Sequence, residues 1–236
     1  MLEDTVHGSS QTNTESLPVD APPNPRLRGW FHQVTFFLTV PAGILLITVA
    51  HTTAARVGAT IYALSMAGLY GVSGAYHRGP WSPSARRVMK RLDHSMIYVL
   101  IAGTLTPFAL LALHPPWSIV VLSVVWGGAA VGITLKMTRI DGFHVVCGAL
   151  YIGLGWAVLL AGPQFVHSLR PAVLVLIAIG GFLYLSGAVV LLRNKPNPAP
   201  ATFGYHEIWH SMVIAASACH YVAVLLVVLP AHAAVG

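Results

Sequence analysis

Long apolar runs separated by short polar loops set the pattern of this chain. Seven runs, over residues 31–50, 57–77, 92–113, 117–135, 143–162, 172–192 and 205–229, each come near the roughly 20 residues that an α-helix needs to cross a bilayer. The pattern predicts an all-α integral membrane protein, a seven-transmembrane helix bundle. The third helix is expected to begin ahead of its apolar run. Ser82-Pro83 reads as a helix start with proline at the first position. Residues 84–92 then form a basic, exposed extension of that helix, and Pro107 is expected to kink it.

Before the first run, residues 1–25 are rich in Ser, Thr, Asn and Pro and predict a disordered cytoplasmic tail. They lack the basic start and apolar core of a signal peptide. The membrane domain is expected over residues 26–229, with a short external tail at 230–236.

Loop charges give an orientation. Arg26 and Arg28 precede the first run, and Arg78, Arg86, Arg87, Lys90 and Arg91 lie between the second and third. Lys136 and Arg139 follow the fourth, and Arg193 and Lys195 follow the sixth. All of these fall on one side, and the other side has only Arg56 and Arg170. The positive-inside rule then places the N-terminus in the cytoplasm and, after seven crossings, the C-terminus outside. The expected location is the plasma or inner membrane.

Composition agrees. The chain is 56% hydrophobic and 8% charged, against about 25% charged in a soluble domain. The net charge of +6 does not point to nucleic acid, because the basic residues sit in loops where they face anionic lipid headgroups. Membrane lipids are the expected partners. Cys147 and Cys219 lie inside apolar runs and read as buried thiols. Gly68, Gly71 and Gly74, and the pair Gly128 and Gly132, read as helix-packing positions.

Acidic residues are scarce outside the tail. Only Asp93, Asp141 and Glu207 occur after residue 20. Asp141 is expected to cap the fifth helix. The other two stand near an unusual set of histidines. His206 and His210 are four residues apart and share one helix face. His77 ends the second run, Asp93 begins the third, and Ser73 lies one turn before His77. With the orientation above, His77, Asp93, His206 and His210 fall at a similar depth, in the cytoplasmic leaflet.

Three imidazoles and an open position form the ligand set of a catalytic zinc site. Zn²⁺ is therefore the expected cofactor, held by His77, His206 and His210. Asp93 and Ser73 are suited to orienting a ligand or holding a water. Plainer readings exist: a single interfacial histidine commonly meets headgroups, and Asp93 could simply pair with Arg87, Lys90 or His94.

The order Ser73-x3-His77, Asp93, His206-x3-His210 over seven runs resembles the hemolysin III type of the progestin and adipoQ receptor family. The resemblance spans about residues 26–229. It implies zinc on His77, His206 and His210, with Ser73 and Asp93 around a metal-bound water. It also implies kinship with alkaline ceramidases, which hydrolyse a lipid amide. The family's first motif places Glu and Asn ahead of a histidine; this chain keeps His32 but has Arg28-Gly29-Trp30-Phe31 before it.

Three functions compete. The first is a zinc-dependent hydrolase of lipid amide or ester bonds, acting in membrane lipid homeostasis. The second is an intramembrane protease, since His206-Glu207-x-x-His210 spells H-E-x-x-H with Glu207 as general base. The third is a non-enzymatic receptor or regulator, or an oligomeric pore-forming, hemolysin-like protein, with a structural zinc. His220 lies roughly 15 Å deeper than His210 at 1.5 Å per residue. It is expected to be a core hydrogen-bonding group or part of a proton or substrate path. His32 and His144 lie at cytoplasmic entries; they read first as interface anchors and second as residues that help line the site. His51, His114 and His167 fall on the outer side.

Overall fold

The computed structural model describes residues 25–139 and 142–229. The tail through residue 24, Asp141 and the tail from residue 230 lie outside the described residues. The helices are α1 (Trp30–Thr48), α2 (Thr53–Arg78), α3 (Pro83–Ala112), α4 (Trp117–Thr138), α5 (His144–Gly155), α6 (Gly162–Ser168), α7 (Pro171–Arg193) and α8 (Tyr205–Val228). A 3₁₀ stretch, Trp156–Ala161, joins α5 to α6 and makes one crossing of the three. Among the described residues no strand forms, and the fold is a bundle of seven helical rods.

Six of the rods are long and apolar enough to cross a membrane by themselves, and the chain is a multi-pass membrane protein. The seventh, α2, has 26 residues, which suffice in length. It is less apolar because its sides face protein rather than lipid. Ala59, Tyr62, Ser65, Met66, Tyr70 and Ser73 are all buried. It packs between α1 and α3, and α8 closes against all three. The outer rods reverse this pattern: Phe182 of α7 is 69% exposed and Val145 of α5 is 86% exposed. Aliphatic groups on those faces meet acyl chains, while tyrosines and small polar groups fill the interior.

Local signals set the helix starts. Ser82 accepts a hydrogen bond from Ala85 N at 3.3 Å, and Pro83 takes the first helical position. The early start expected for α3 is thus observed. Thr52 caps α2 by accepting from Ala55 N at 3.1 Å. Pro107 lies inside α3 and packs on Gly58, where a Cβ would come within 2.9 Å of the proline Cα.

The fifth crossing departs from expectation. It runs past residue 162 to Ser168 and changes to 3₁₀ geometry midway. Pro163 sits in the first turn of α6. Its ring cannot continue an α-helix cleanly, because it clashes with the carbonyl four residues back and offers no N–H. The preceding turn tightens, and the helix resumes. The N-cap of α5 is Phe143, with φ of 57°; the Asp141 cap lies outside the described residues.

Charges at the two ends behave differently. Arg56 donates to Ala50 O at 3.2 Å, and Arg170 donates to Leu226 O at 2.7 Å. Each binds a carbonyl left open near a helix C-terminus. The two basic residues of the sparse end thus have structural partners. Lys136, assigned to a loop from the sequence, is instead buried in the last turn of α4. Cys147 is buried and Cys219 half-buried, both as free thiols.

Candidate metal centre

The basic end of the bundle gathers the chemistry. His77 comes from the last turn of α2, and His206 and His210 from the first two turns of α8. One ligand atom from each lies within 4.8 Å of the other two. The Nε2 atoms of His77 and His206 are 3.2 Å apart. Zinc–nitrogen bonds of about 2.0–2.1 Å in a tetrahedron hold their nitrogens about 3.3–3.4 Å apart. The spacing therefore matches two ligands of one ion.

Burial supports the same reading. His210 is 2% exposed, and its Nδ1 has no hydrogen-bond partner among the described residues. Three imidazoles converging at these distances fit a cation, and an all-imidazole set suits zinc among the common ions. The residues present fit the metal implied by the sequence.

Asp93 stands beside the ligands. Its Oδ2 is 4.0 Å from His77 Nε2 and 3.8 Å from His94 Nδ1. The carboxylate thus borders the triad without joining it. His94 is one of the basic partners considered from sequence. Ser73 is buried one turn below His77, where its Oγ shares a 2.9 Å hydrogen bond with His32 Nδ1.

Of the two readings of His32, the structure favours the second: it lines the site rather than anchoring at the interface. It is 3% exposed and lies flat on His210, with ring centroids 3.7 Å apart and planes 9° apart. Tyr70 meets it in a T-shaped contact, with ring centroids 5.0 Å apart. Its position at the basic end of α1, level with His77, was the available signal. Nothing in the sequence spacing showed the stacking, because 178 residues separate it from His210. The side chain of His144 lies outside the described part.

The chain ahead of α1 is fastened across the centre. Arg26 N and Leu27 N donate to Ala201 O and Thr202 O at 3.1 and 3.3 Å. Arg28 Nε lies 2.7 Å from Glu207 Oε1. The other oxygen of Glu207 accepts from Gly204 N at 2.8 Å, which caps α8. Glu207 is fully buried in these contacts. It is therefore committed as a structural group, which removes the general base that a protease reading requires. Gly29 adopts φ of +74°, and a Cβ there would overlap His77 Cβ.

His220 is a core group. Its Nε2 lies 3.3 Å from Ile177 O, and it packs on Gly180 beside Tyr184. His51, His114 and His167 belong to the α1–α2 loop, the α3–α4 loop and α6, at the far end.

Relatives match this chain over most of its length. It is 37% identical over 202 residues to Hemolysin-3 of Bacillus cereus, covering 84% of this chain and 89% of that protein. It is 33% identical over 197 residues to the Hemolysin-3 homolog of Bacillus subtilis (strain 168), covering 82% and 89%. It is 28% identical over 197 residues to the human Monocyte to macrophage differentiation factor, covering 80% and 79%. The family model described as Haemolysin-III related matches residues 21–221, and the chain belongs to that family.

Proposed function

We propose that this protein is a zinc-dependent hydrolase of lipid amide or ester bonds that acts in membrane lipid homeostasis. The carrying observation is the convergence of His77, His206 and His210 beside a carboxylate that does not itself join them. A zinc ion there would be held by the three imidazoles. When bound, it supplies a Lewis acid for a carbonyl and an acidified water. Asp93 is placed to accept and return a proton at its carboxylate oxygen, beside His77. Ser73, through His32, holds the inner wall of the centre.

The setting suits a lipid. Charge distribution supports a cytoplasmic N-terminus and so a site in the cytoplasmic leaflet, level with headgroups and the first acyl bonds. Acyl chains would lie among the rods, whose outer faces are aliphatic.

The test is hydrolysis of a panel of ceramides, other lipid amides and phospholipid esters by purified, zinc-loaded protein. Release of fatty acid by wild type and its loss in Asp93→Asn supports the reading. An untouched panel, with zinc present at one per chain, favours a structural zinc in a regulator or pore-forming protein. Dye release from vesicles then separates those two.

A further inference from the structure

We propose that His32 is a positioning residue of the metal centre, setting the plane of the ligand His210 through ring stacking. The inference rests on the three-histidine reading and adds a fourth histidine that binds no metal. Two ring nitrogens define it. Nδ1 is held by Ser73 Oγ at 2.9 Å, which fixes the rotation of the ring. Nε2 is buried and has no partner among the described residues. The face of the ring lies against His210 at 3.7 Å, nearly parallel, and Tyr70 packs on His32 in a T-shaped contact at 5.0 Å.

His210 needs such a support. Its own Nδ1 makes no hydrogen bond among the described residues. Metal-bound histidines are ordinarily oriented by a hydrogen bond from the second nitrogen to a carboxylate or carbonyl. Here the orienting contact is a flat ring rather than an acceptor atom. Aromatic rings in offset or parallel contact restrict one another's rotation. His32 can do this only because α1 is pinned at its start. The Arg28–Glu207 ion pair and the close passage of Gly29 over His77 set the depth at which α1 meets α2 and α8.

Two variants of similar volume separate ring from filler. His32→Leu occupies the space without a flat face, and His32→Phe keeps the face without the nitrogen atoms. Detergent-purified protein is stripped of metal and titrated with Zn²⁺ against a chromogenic chelator, and then with Co²⁺ while visible absorption is recorded. Thermal midpoints of the metal-free proteins report folding. Loss of a group that orients a metal ligand weakens binding about 10–100-fold. That loss, with a shifted Co²⁺ band, is expected in His32→Leu. His32→Phe is expected to stay within about threefold of wild type and to keep the band.

A His32→Leu protein with wild-type affinity and band overturns the proposal. So does a folded His32→Phe protein that binds no better than His32→Leu. A wild type that binds neither metal overturns this inference together with the metal-centre reading, whereas a wild type that binds zinc while the two variants do not differ overturns this inference alone.

Discussion

Arg28 and Glu207 meet at 2.7 Å across the gap between the start of α1 and the start of α8, with Glu207 fully buried. Their pairing ties the first rod to the last, on the side where His206 and His210 project. Removing one partner of a buried pair leaves an uncompensated charge and costs about 3–5 kcal/mol when both partners are enclosed. Arg28 keeps 20% of its side-chain surface exposed, so the expected cost is lower, about 2–3 kcal/mol. Glu207→Gln should lower the thermal midpoint in detergent and leave bound zinc at one per chain. The double variant Arg28→Ala with Glu207→Gln should be less destabilised than the sum of the two single changes. Unchanged stability together with abolished hydrolysis would instead identify Glu207 as a general base.

Asp93 should separate binding from chemistry. Asp93→Asn removes the carboxylate beside His77, the proposed proton acceptor, while leaving the three imidazoles in place. Metal content is expected to remain near one per chain. Lipid hydrolysis should fall by about 10²–10⁴-fold, the range for a lost general acid or base. Loss of metal in this variant would make Asp93 a ligand.

Gly29→Ala tests the close passage of α1 over His77. Left-handed backbone costs an alanine about 1–2 kcal/mol, and the added Cβ overlaps His77. Both a lower thermal midpoint and weaker zinc binding are expected. Unaltered zinc affinity would show that α1 can shift without disturbing His77.

Orientation is testable directly. A fluorescent protein fused at the N-terminus should fluoresce, and alkaline phosphatase fused at the C-terminus should be active, if the basic end faces the cytoplasm. The reverse pattern would move the centre to the other leaflet and exchange the substrates it meets.

Much of this arrangement is written in local sequence. Apolar runs mark the rods, and Ser82-Pro83 marks the true start of α3. The pair His206 and His210 is legible because helical spacing alone puts both on one face. His77 and Asp93 follow from topology, since neighbouring rods end and begin at the same level. Three features were not legible. The fifth apolar run reads as ending at residue 162, yet the crossing continues because Pro163 occupies the first turn of a new helix. Glu207 reads as part of a protease motif, and only Arg28, 179 residues away, shows its role. The stacking of His32 on His210 depends on how α1 and α8 meet, which no local spacing encodes.

Metal content of the detergent-purified protein, measured by mass spectrometry for wild type, His77→Ala, His206→Ala and His210→Ala, tests the centre most directly. About one zinc per wild-type chain, lost in each variant, is the predicted result. A wild type with no bound metal, or variants that all retain it, would contradict the three-histidine centre and the hydrolase built on it.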